Sequence, residues 1–205
     1  LDDIWTSTLK AIKAVLTKAK INSKKIAAIG ITNQRETACF WSKKTGAPIT
    51  HAIVWQDRRT ANLCEKLKHE GHEPFINKRT GLLLDPYFSG SKVSWALENI
   101  DGVRRSAKSG DCAFGTIDTY LVHKLTHGKS HVTEPSNSSR TLLYNIETLK
   151  WDSEILKMFN IPNDILPNVL DSTDKFGVTH KVPGLPDGIP IHGMLGDQQS
   201  ALLGQ

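Results

Sequence analysis

The sequence has few cysteines and no hydrophobic run of membrane length. Only three cysteines occur among 205 residues, Cys39, Cys64 and Cys112, and they are widely spaced without a CxxC pair. This usage argues against a disulfide framework and is typical of a reducing compartment, so we expect a cytoplasmic protein. No apolar run approaches the ~18 residues of a membrane-spanning helix.

A concentrated positive charge is also missing. The formal net charge is +5, but the 26 Lys and Arg residues are scattered among 21 acidic residues. Nucleic acid is therefore not an expected partner. The length is sufficient for the core of one large domain or two small ones. Because the sequence has no initial methionine and stops at Gln205 within a helical pattern, we expect a piece of a longer protein.

Four polar side chains follow the first predicted strand. Residues 26–31 are apolar or small on both faces, which indicates a buried parallel strand. The next polar side chains, at the carboxyl end of that strand, are Asn33, Gln34, Arg35 and Glu36. Ligands of open α/β sheets bind in the crevice at this end of the strands, so we interpret the four residues as part of a binding site.

Arg35 and Glu36 suit a ligand with several hydroxyl groups. The guanidinium group of arginine offers five donors, whereas an ionised glutamate offers only acceptors. A polyol, whose hydroxyls both donate and accept, would match this pair. A surface ion pair at the end of a strand is the alternative that these residues leave open.

The remaining pattern predicts a mixed sheet flanked by helices. We predict helices over residues 2–20, 60–68, 72–79, 92–99 and 119–125, the last with Asp118 as its N-cap, and a short helical face over 155–159. Further strands are predicted over residues 37–41, 49–54 and 113–116, with a turn at 44–46.

A second strand ends in polar residues near the end of the sequence. Residues 189–194 read as a strand, and Gly196, Asp197 and Gln198 follow before a helix that starts near Ser200. Gly196 permits close approach of the backbone, and Asp197 lies close to the start of a helix. An ordinary N-cap aspartate is the alternative for Asp197.

Two polar clusters remain open from the sequence. His123, His127 and His131 lie at four-residue intervals, which suits a metal site, but Gly128 ends the helix before the third histidine, and a solvated face is the alternative. Residues 136–140, SNSSR, are rich in turn formers whose hydroxyls either cap helices or approach a ligand.

Five motifs together resemble the glycerol kinases, a group within the FGGY carbohydrate kinases. They are GITNQRET at 30–37, IVWQDRRT at 53–60, DPYFSGSK at 85–92, FGTIDTYL at 114–121 and GDQQSALLGQ at 196–205. The resemblance covers essentially the whole sequence, and the five motifs occur in the family's order. The W-x-D-x-R pattern at Trp55, Asp57 and Arg59 is shared across the wider family, whereas N-Q-R-E is typical of the glycerol-specific members.

The resemblance implies a function and a set of site residues. It implies ATP-dependent phosphorylation of glycerol to sn-glycerol 3-phosphate, with ATP and Mg²⁺ required. Its general base matches Asp197, and its glycerol-binding residues match Arg35, Glu36, Trp55, Tyr87, Asp197 and Gln198. Trp55 would provide an apolar wall against the carbon atoms of glycerol, and the others would hydrogen-bond its hydroxyls.

The resemblance also implies a domain arrangement. The family has an actin-like, ribonuclease-H-like fold of two domains, and residues 1–205 would be most of the first, glycerol-binding domain. The first strands with their phosphate hairpin and the nucleotide-binding second domain are not found, so the fragment alone is expected to be inactive and to contain no nucleotide-binding residues. A metal site within it and a homo-oligomeric state are left open.

Two departures from the family pattern stand out. Residues 178–188 do not match the glycine-rich loop that binds a sugar-bisphosphate inhibitor in some bacterial members. Glu134 and Pro135 also differ from the usual pattern, without an expected effect on the chemistry. A kinase for another small polyol or sugar, and a noncatalytic polyol-binding protein, are the alternative functions.

Overall fold

A computed structural model describes residues 1–205 as a mixed α/β structure. The helices are α1 Asp2–Ala19, α2 Ala61–His69, α3 Glu73–Thr80, α4 Ser89–Asn99, α5 Val103–Lys108, α6 Ile117–Leu125, α7 Pro135–Ser138, α8 Ser153–Met158 and α9 Asp197–Gly204. The strands are β1 Ile29–Asn33, β2 Cys39–Ser42, β3 Cys112–Gly115, β4 Val132–Thr133, β5 Tyr144–Asn145, β6 Lys150–Trp151, β7 Asn168–Val169, β8 Lys175–Val178 and β9 Pro190–Gly196. Single 3₁₀ turns occur at Ser23–Lys25 and Asn163–Ile165.

The main sheet has three strands in the order β1-β9-β8. β9 is parallel to β1 and antiparallel to β8, so the sheet is mixed as predicted. Asn33 at the end of β1 lies beside Gly196 at the end of β9. The polar residues that follow both strands therefore emerge at the same edge of the sheet, which is where ligands bind in open α/β sheets.

Buried apolar side chains stabilise the structure in separate clusters. The largest contains 22 buried residues and includes Phe40, Phe114 and the α4 residues Val93, Ala96 and Leu97. A second cluster of eight lies where α6 packs on the main sheet and includes Ile31, Val122 and Ile191. None of the helices is long and apolar enough to cross a membrane. The three cysteines are buried and unpaired.

The first strand differs from its prediction in position and burial. It begins at Ile29 rather than at residue 26 and continues to Asn33, because residues 23–25 form a 3₁₀ turn. Of its five residues only Ile31 and Asn33 are buried, and β9 is its one strand partner. The prediction of a strand buried on both faces is therefore wrong, although its parallel pairing is correct.

Two further local predictions are wrong for reasons that involve distant residues. Residues 49–54 do not form a strand and make only one isolated bridge, Ile53 with Ala38, while the preceding Pro48 bridges Trp41. The partner of β2 is instead β3, some 70 residues later in the sequence. Asp118 is not the N-cap of α6, whose N-cap position is Thr116. The Asp118 carboxylate points inward and accepts a hydrogen bond from Thr133 Oγ1 at 2.6 Å.

Candidate functional site

Arg35 joins the ends of β1 and β9. Its Nη2 donates a hydrogen bond to Gln198 Oε1 at 2.8 Å, and its Nε lies 3.7 Å from Asp197 Oδ1. The Arg35 side chain is 8% exposed, whereas that of Asp197 is 56% exposed. The Arg35 Nε group is buried without a hydrogen-bond partner. A buried donor without a hydrogen-bond partner is unusual in proteins.

Gly196 permits the close approach of Arg35. A Cβ atom added to Gly196 would overlap the Arg35 side chain, lying 2.9 Å from its Cγ and closer still to its Cδ. The φ angle of Gly196 is −58°, so space rather than backbone conformation requires glycine here. The sequence thus places a residue without a side chain where the arginine stem passes between the two strands.

Glu36 is held in an unusual backbone conformation by several contacts. Its φ angle is +65°, and it is the central residue of a tight turn closed by the Thr37 N–H donating to Arg35 O at 2.8 Å. Non-glycine residues in this region are uncommon and are concentrated at functional sites. The buried carboxylate accepts a hydrogen bond from Arg140 Nε at 2.7 Å, and Ser89 Oγ donates to Glu36 O at 3.0 Å.

Trp55 and Tyr87 form an aromatic wall beside these residues. Their ring centroids are 5.4 Å apart with an interplanar angle of 60°. The Trp55 indole N–H donates to Gln34 Oε1 at 3.3 Å. The Arg140 guanidinium lies 5.6 Å from the Tyr87 ring centroid, which connects the wall to Glu36. The wall therefore lies next to the turn that carries Arg35 and Glu36.

A buried lysine fixes the loop that carries Tyr87. Lys92 Nζ, in α4, donates to Pro86 O and Tyr87 O at 2.6 Å and to Phe88 O at 3.3 Å. Burial lowers the pKa of Lys92 to about 8. Three carbonyl acceptors on consecutive residues leave this loop little freedom, so the position of the tyrosine is largely determined by α4.

The structure connects all six predicted site residues through short links. Arg35, Asp197 and Gln198 form one group at the ends of the strands, and Glu36, Tyr87 and Trp55 form a second. The two groups are joined by residues 34–36, which are adjacent in the sequence: Arg35 bonds Gln198, while Gln34 bonds Trp55 and Glu36 bonds Arg140. Arg140 and Lys92 were not predicted as site residues, although Arg140 lies in the SNSSR cluster at 136–140 and Lys92 in the DPYFSGSK motif at 85–92. Their partners could not be inferred, since Arg140 contacts a residue 104 positions away.

The three histidines at four-residue spacing do not converge on a common point. The ring of His123 is buried against Trp41, and burial lowers the pKa of His123 to about 4. His127 instead contacts His180 edge to face, and His131 Nε2 is 2.7 Å from Phe114 O. No group of three or more His, Cys, Asp or Glu side chains in residues 1–205 is arranged to hold a metal ion.

Comparison with known proteins identifies relatives along the whole chain. Residues 1–204 match the FGGY family of carbohydrate kinases, N-terminal domain. The chain is 55% identical to a glycerol kinase of Chelativorans sp. over 205 residues and 52% identical to one of Staphylococcus haemolyticus over 204 residues. Each comparison covers 100% of this chain and 41% of the relative.

Solved structures agree with the fold. The chain is 37% identical to the glycerol kinase of Plasmodium falciparum, solved with ADP, at a TM-score of 0.91, covering 98% of this chain and 40% of that one. A xylulose kinase from Lactobacillus acidophilus is 22% identical with a TM-score of 0.78, covering 96% of this chain and 39% of that one, and shows the shared fold alone. The chain therefore spans about two fifths of the length of the relatives that it matches.

Proposed function

We propose that this chain, which belongs to the FGGY family of carbohydrate kinases, is the glycerol-binding part of an ATP-dependent glycerol kinase that forms sn-glycerol 3-phosphate. The proposal is supported by relatives named as glycerol kinases at 52–55% identity. It includes a domain arrangement in which residues 1–205 form most of the first domain, while the phosphate hairpin and nucleotide-binding domain lie outside them. It also includes a cytoplasmic location.

The geometry that supports this proposal best is the group at the ends of β1 and β9. Arg35 and Gln198 are hydrogen-bonded to each other, and the exposed Asp197 carboxylate lies beside them. Within the protein Asp197 accepts a hydrogen bond from the adjacent Gln198 N–H through Oδ1, and its Oδ2 makes no protein hydrogen bond. A free carboxylate oxygen next to fixed polar groups is what a substrate hydroxyl needs as it loses its proton.

We assign the three hydroxyls and the carbon backbone of glycerol to different parts of the site. Arg35 provides donors, Glu36 provides an acceptor, and Gln198 and Tyr87 contribute further hydrogen bonds. The aromatic ring of Trp55 packs against the carbon atoms. A site that pairs each hydroxyl discriminates strongly against analogues that lack one, because its own buried polar groups are then left unpaired.

Asp197 acts as general base by accepting the proton of the attacking hydroxyl. Phosphoryl transfer depends mainly on positioning and electrostatic stabilisation, so a carboxylate that orients the nucleophile is sufficient. ATP supplies the phosphoryl group and is expected as its Mg²⁺ complex. Residues 1–205 contain no group of three or more His, Cys, Asp or Glu side chains arranged to hold that ion.

Replacement of Asp197 in the full-length protein tests this proposal. We expect Asp197→Asn to lower kcat about 100-fold or more while glycerol still binds, since the amide keeps the shape of the side chain but cannot take the proton. Asp187→Asn is a matched control, because the Asp187 side chain is also 56% exposed and lies in the loop before β9.

The substrate is tested separately with a panel of polyols and sugars. ATP consumption is measured with glycerol, longer polyols and xylulose. A strong preference for another compound would replace glycerol as the substrate, and absence of turnover with every compound would favour a noncatalytic binding protein.

Near-normal turnover of the Asp197→Asn variant would contradict the assignment of the base. Light scattering of the full-length protein tests whether it forms a homo-oligomer.

A further inference from the structure

Glu134 is a buried carboxylate to which the proposed chemistry assigns no role. It is 0% exposed and is the N-cap of the short helix α7. It accepts five hydrogen bonds: from Ser136 N at 2.8 Å, Ser136 Oγ at 2.6 Å, Asn137 N at 2.7 Å, Asn137 Nδ2 at 2.8 Å and Ser172 Oγ at 2.7 Å. A helix of one turn does not need such a large set of donors for capping alone.

The first of its two outward connections runs through Ser136 to β9. Because the Ser136 hydroxyl donates its only proton to Glu134 Oε1, its lone pairs are left to accept. They accept the hydrogen bond of the Gly196 N–H at 2.8 Å. Gly196 is the last residue of β9 and immediately precedes Asp197. The carboxylate therefore sets the polarity of a bond that holds the end of this strand.

The second connection runs through Asn137 to β1. The Asn137 amide group donates from Nδ2 to Glu134 Oε1, which turns its Oδ1 towards Asn33. Asn33 Nδ2 then donates to Asn137 Oδ1 at 2.8 Å. Asn33 is the last residue of β1 and is paired in register with Gly196. One carboxylate thus orients the groups that hold both strand ends.

We propose that Glu134 is a positioning residue for the polyol site, acting through Ser136 and Asn137 on the ends of β1 and β9. We call Asn33, Glu134, Ser136, Asn137 and Gly196 the strand-end clamp. Two residues after Asn33 the chain reaches Arg35, and one residue after Gly196 it reaches Asp197. The clamp keeps these residues at the distances that the site requires. This inference rests on the proposed function for its kinetic consequences, whereas its structural consequences are independent of that function.

The chemistry of the carboxylate explains why an acid is needed. All five groups around Glu134 are donors. In Glu134→Gln, an NH₂ group at the Oε1 position would face the Ser136 hydroxyl and the Asn137 amide, and their rotation would disrupt the bonds to Gly196 and Asn33. An NH₂ group at the Oε2 position would face the Ser136 N–H, which cannot rotate, so the carboxamide itself has to move away from its partners. Networks of this kind lose more than a single bond when one member changes its polarity.

We test this in the full-length protein with Glu134→Gln and a matched control, Asp152→Asn. Asp152 is also a buried carboxylate that is the N-cap of a short helix, α8, and accepts a hydrogen bond from an asparagine side chain, Asn145 Nδ2 at 2.9 Å. None of its hydrogen bonds reaches the ends of β1 or β9. Both variants should lose stability, but only Glu134→Gln should alter the site.

The first measurement separates positioning from stability. At a temperature where both variants are folded, we expect Glu134→Gln to raise the KM for glycerol about tenfold or more, with the KM for ATP unchanged. Asp152→Asn should change neither. An unaltered KM for glycerol in folded Glu134→Gln, with active wild-type protein, would overturn the clamp. If Glu134→Gln does not fold, Ser136→Ala removes the hydroxyl that joins Glu134 to Gly196, leaves the link through Asn137 in place, and is expected to raise the same KM.

The second measurement does not depend on activity. Hydrogen exchange of the Gly196 amide should be faster in Glu134→Gln or Ser136→Ala than in the wild-type protein and unchanged in Asp152→Asn. If the wild-type protein does not phosphorylate glycerol, the proposed function fails, yet the exchange rate still decides about the clamp. Equal protection of the Gly196 amide in all variants would overturn it.

Discussion

Substitution of Gly196 by alanine tests the packing of Arg35 directly. The new Cβ atom would lie 2.9 Å from Arg35 Cγ and closer to Cδ, whereas ordinary contacts begin at 3.4 Å. The arginine stem therefore has to move by at least about 0.5 Å at Cγ (3.4 minus 2.9) and further at Cδ. Since the Arg35 side chain is buried, it cannot move into solvent to avoid the new Cβ atom. We expect the Nη2 bond to Gln198 to be lost.

The expected effect follows from that bond and from the displaced donors. A hydrogen bond to a charged group contributes about 1.5–3 kcal/mol, and about 1.4 kcal/mol corresponds to a factor of ten in affinity. Gly196→Ala should thus weaken glycerol binding about tenfold to a hundredfold. The measurement is the dissociation constant and the KM for glycerol in the full-length protein, with the KM for ATP as an internal reference.

A matched control and a double-mutant cycle make the test specific. Gly204→Ala makes the same change in α9, where an added Cβ meets nothing within 4 Å, so glycerol binding should be unchanged. Arg35→Ala alone should raise the KM for glycerol steeply. In that background Gly196→Ala should have little further effect, because the two residues act through the same contact. Additive effects of the two substitutions, or normal glycerol binding by Gly196→Ala, would refute the reasoning.

Two further predictions concern fluorescence and pH. Glycerol should change the intrinsic fluorescence of the full-length protein, and Trp55→Phe should remove that change, because we assign the Trp55 ring to the wall that packs against glycerol. A full response in the variant would exclude this role. Burial raises the pKa of Asp118 from 3.8 to about 6. Between about pH 4 and about pH 6 the folded state therefore binds a proton at Asp118 that the unfolded state has lost, so the free energy of unfolding should fall as pH rises through this range. Denaturant midpoints of Asp118→Asn should lack this slope, and equal slopes would contradict the assignment.

Elements with a strong local pattern were predicted well from the sequence. The periodicity of α1 gave a helix over residues 2–20, and the structure has Asp2–Ala19. The predicted helix over residues 72–79 is α3, Glu73–Thr80, which ends at Gly81 in a left-handed conformation. In these cases the residues that determine the element lie within it. The prediction then depends only on spacing and turn chemistry.

The errors occurred where long-range contacts determine the structure. The pairing of β2 with β3 joins residues about 70 positions apart. Nothing within residues 49–54 shows that β3, and not this segment, is the strand that pairs with β2. Asp118 is a residue type that is favoured at N-caps, but its carboxylate instead accepts hydrogen bonds from the hydroxyls of Thr116 and Thr133. The place of Arg140 in the site could not be predicted for the same reason, because its partner Glu36 is distant in the sequence. A local pattern cannot show which distant partner is available.

The contrast in exposure between the site residues has a consequence for their roles. Glu36 is almost completely buried and already paired with Arg140, and Arg35 is buried and paired with Gln198, so both groups are oriented before a ligand arrives. Asp197 is more than half exposed and keeps a free oxygen. Preorganised groups lose little entropy on binding, which suits residues that fix the substrate. Asp197 is the more accessible of the two carboxylates, and a substrate hydroxyl can reach its free oxygen, so we assign the transferred proton to it.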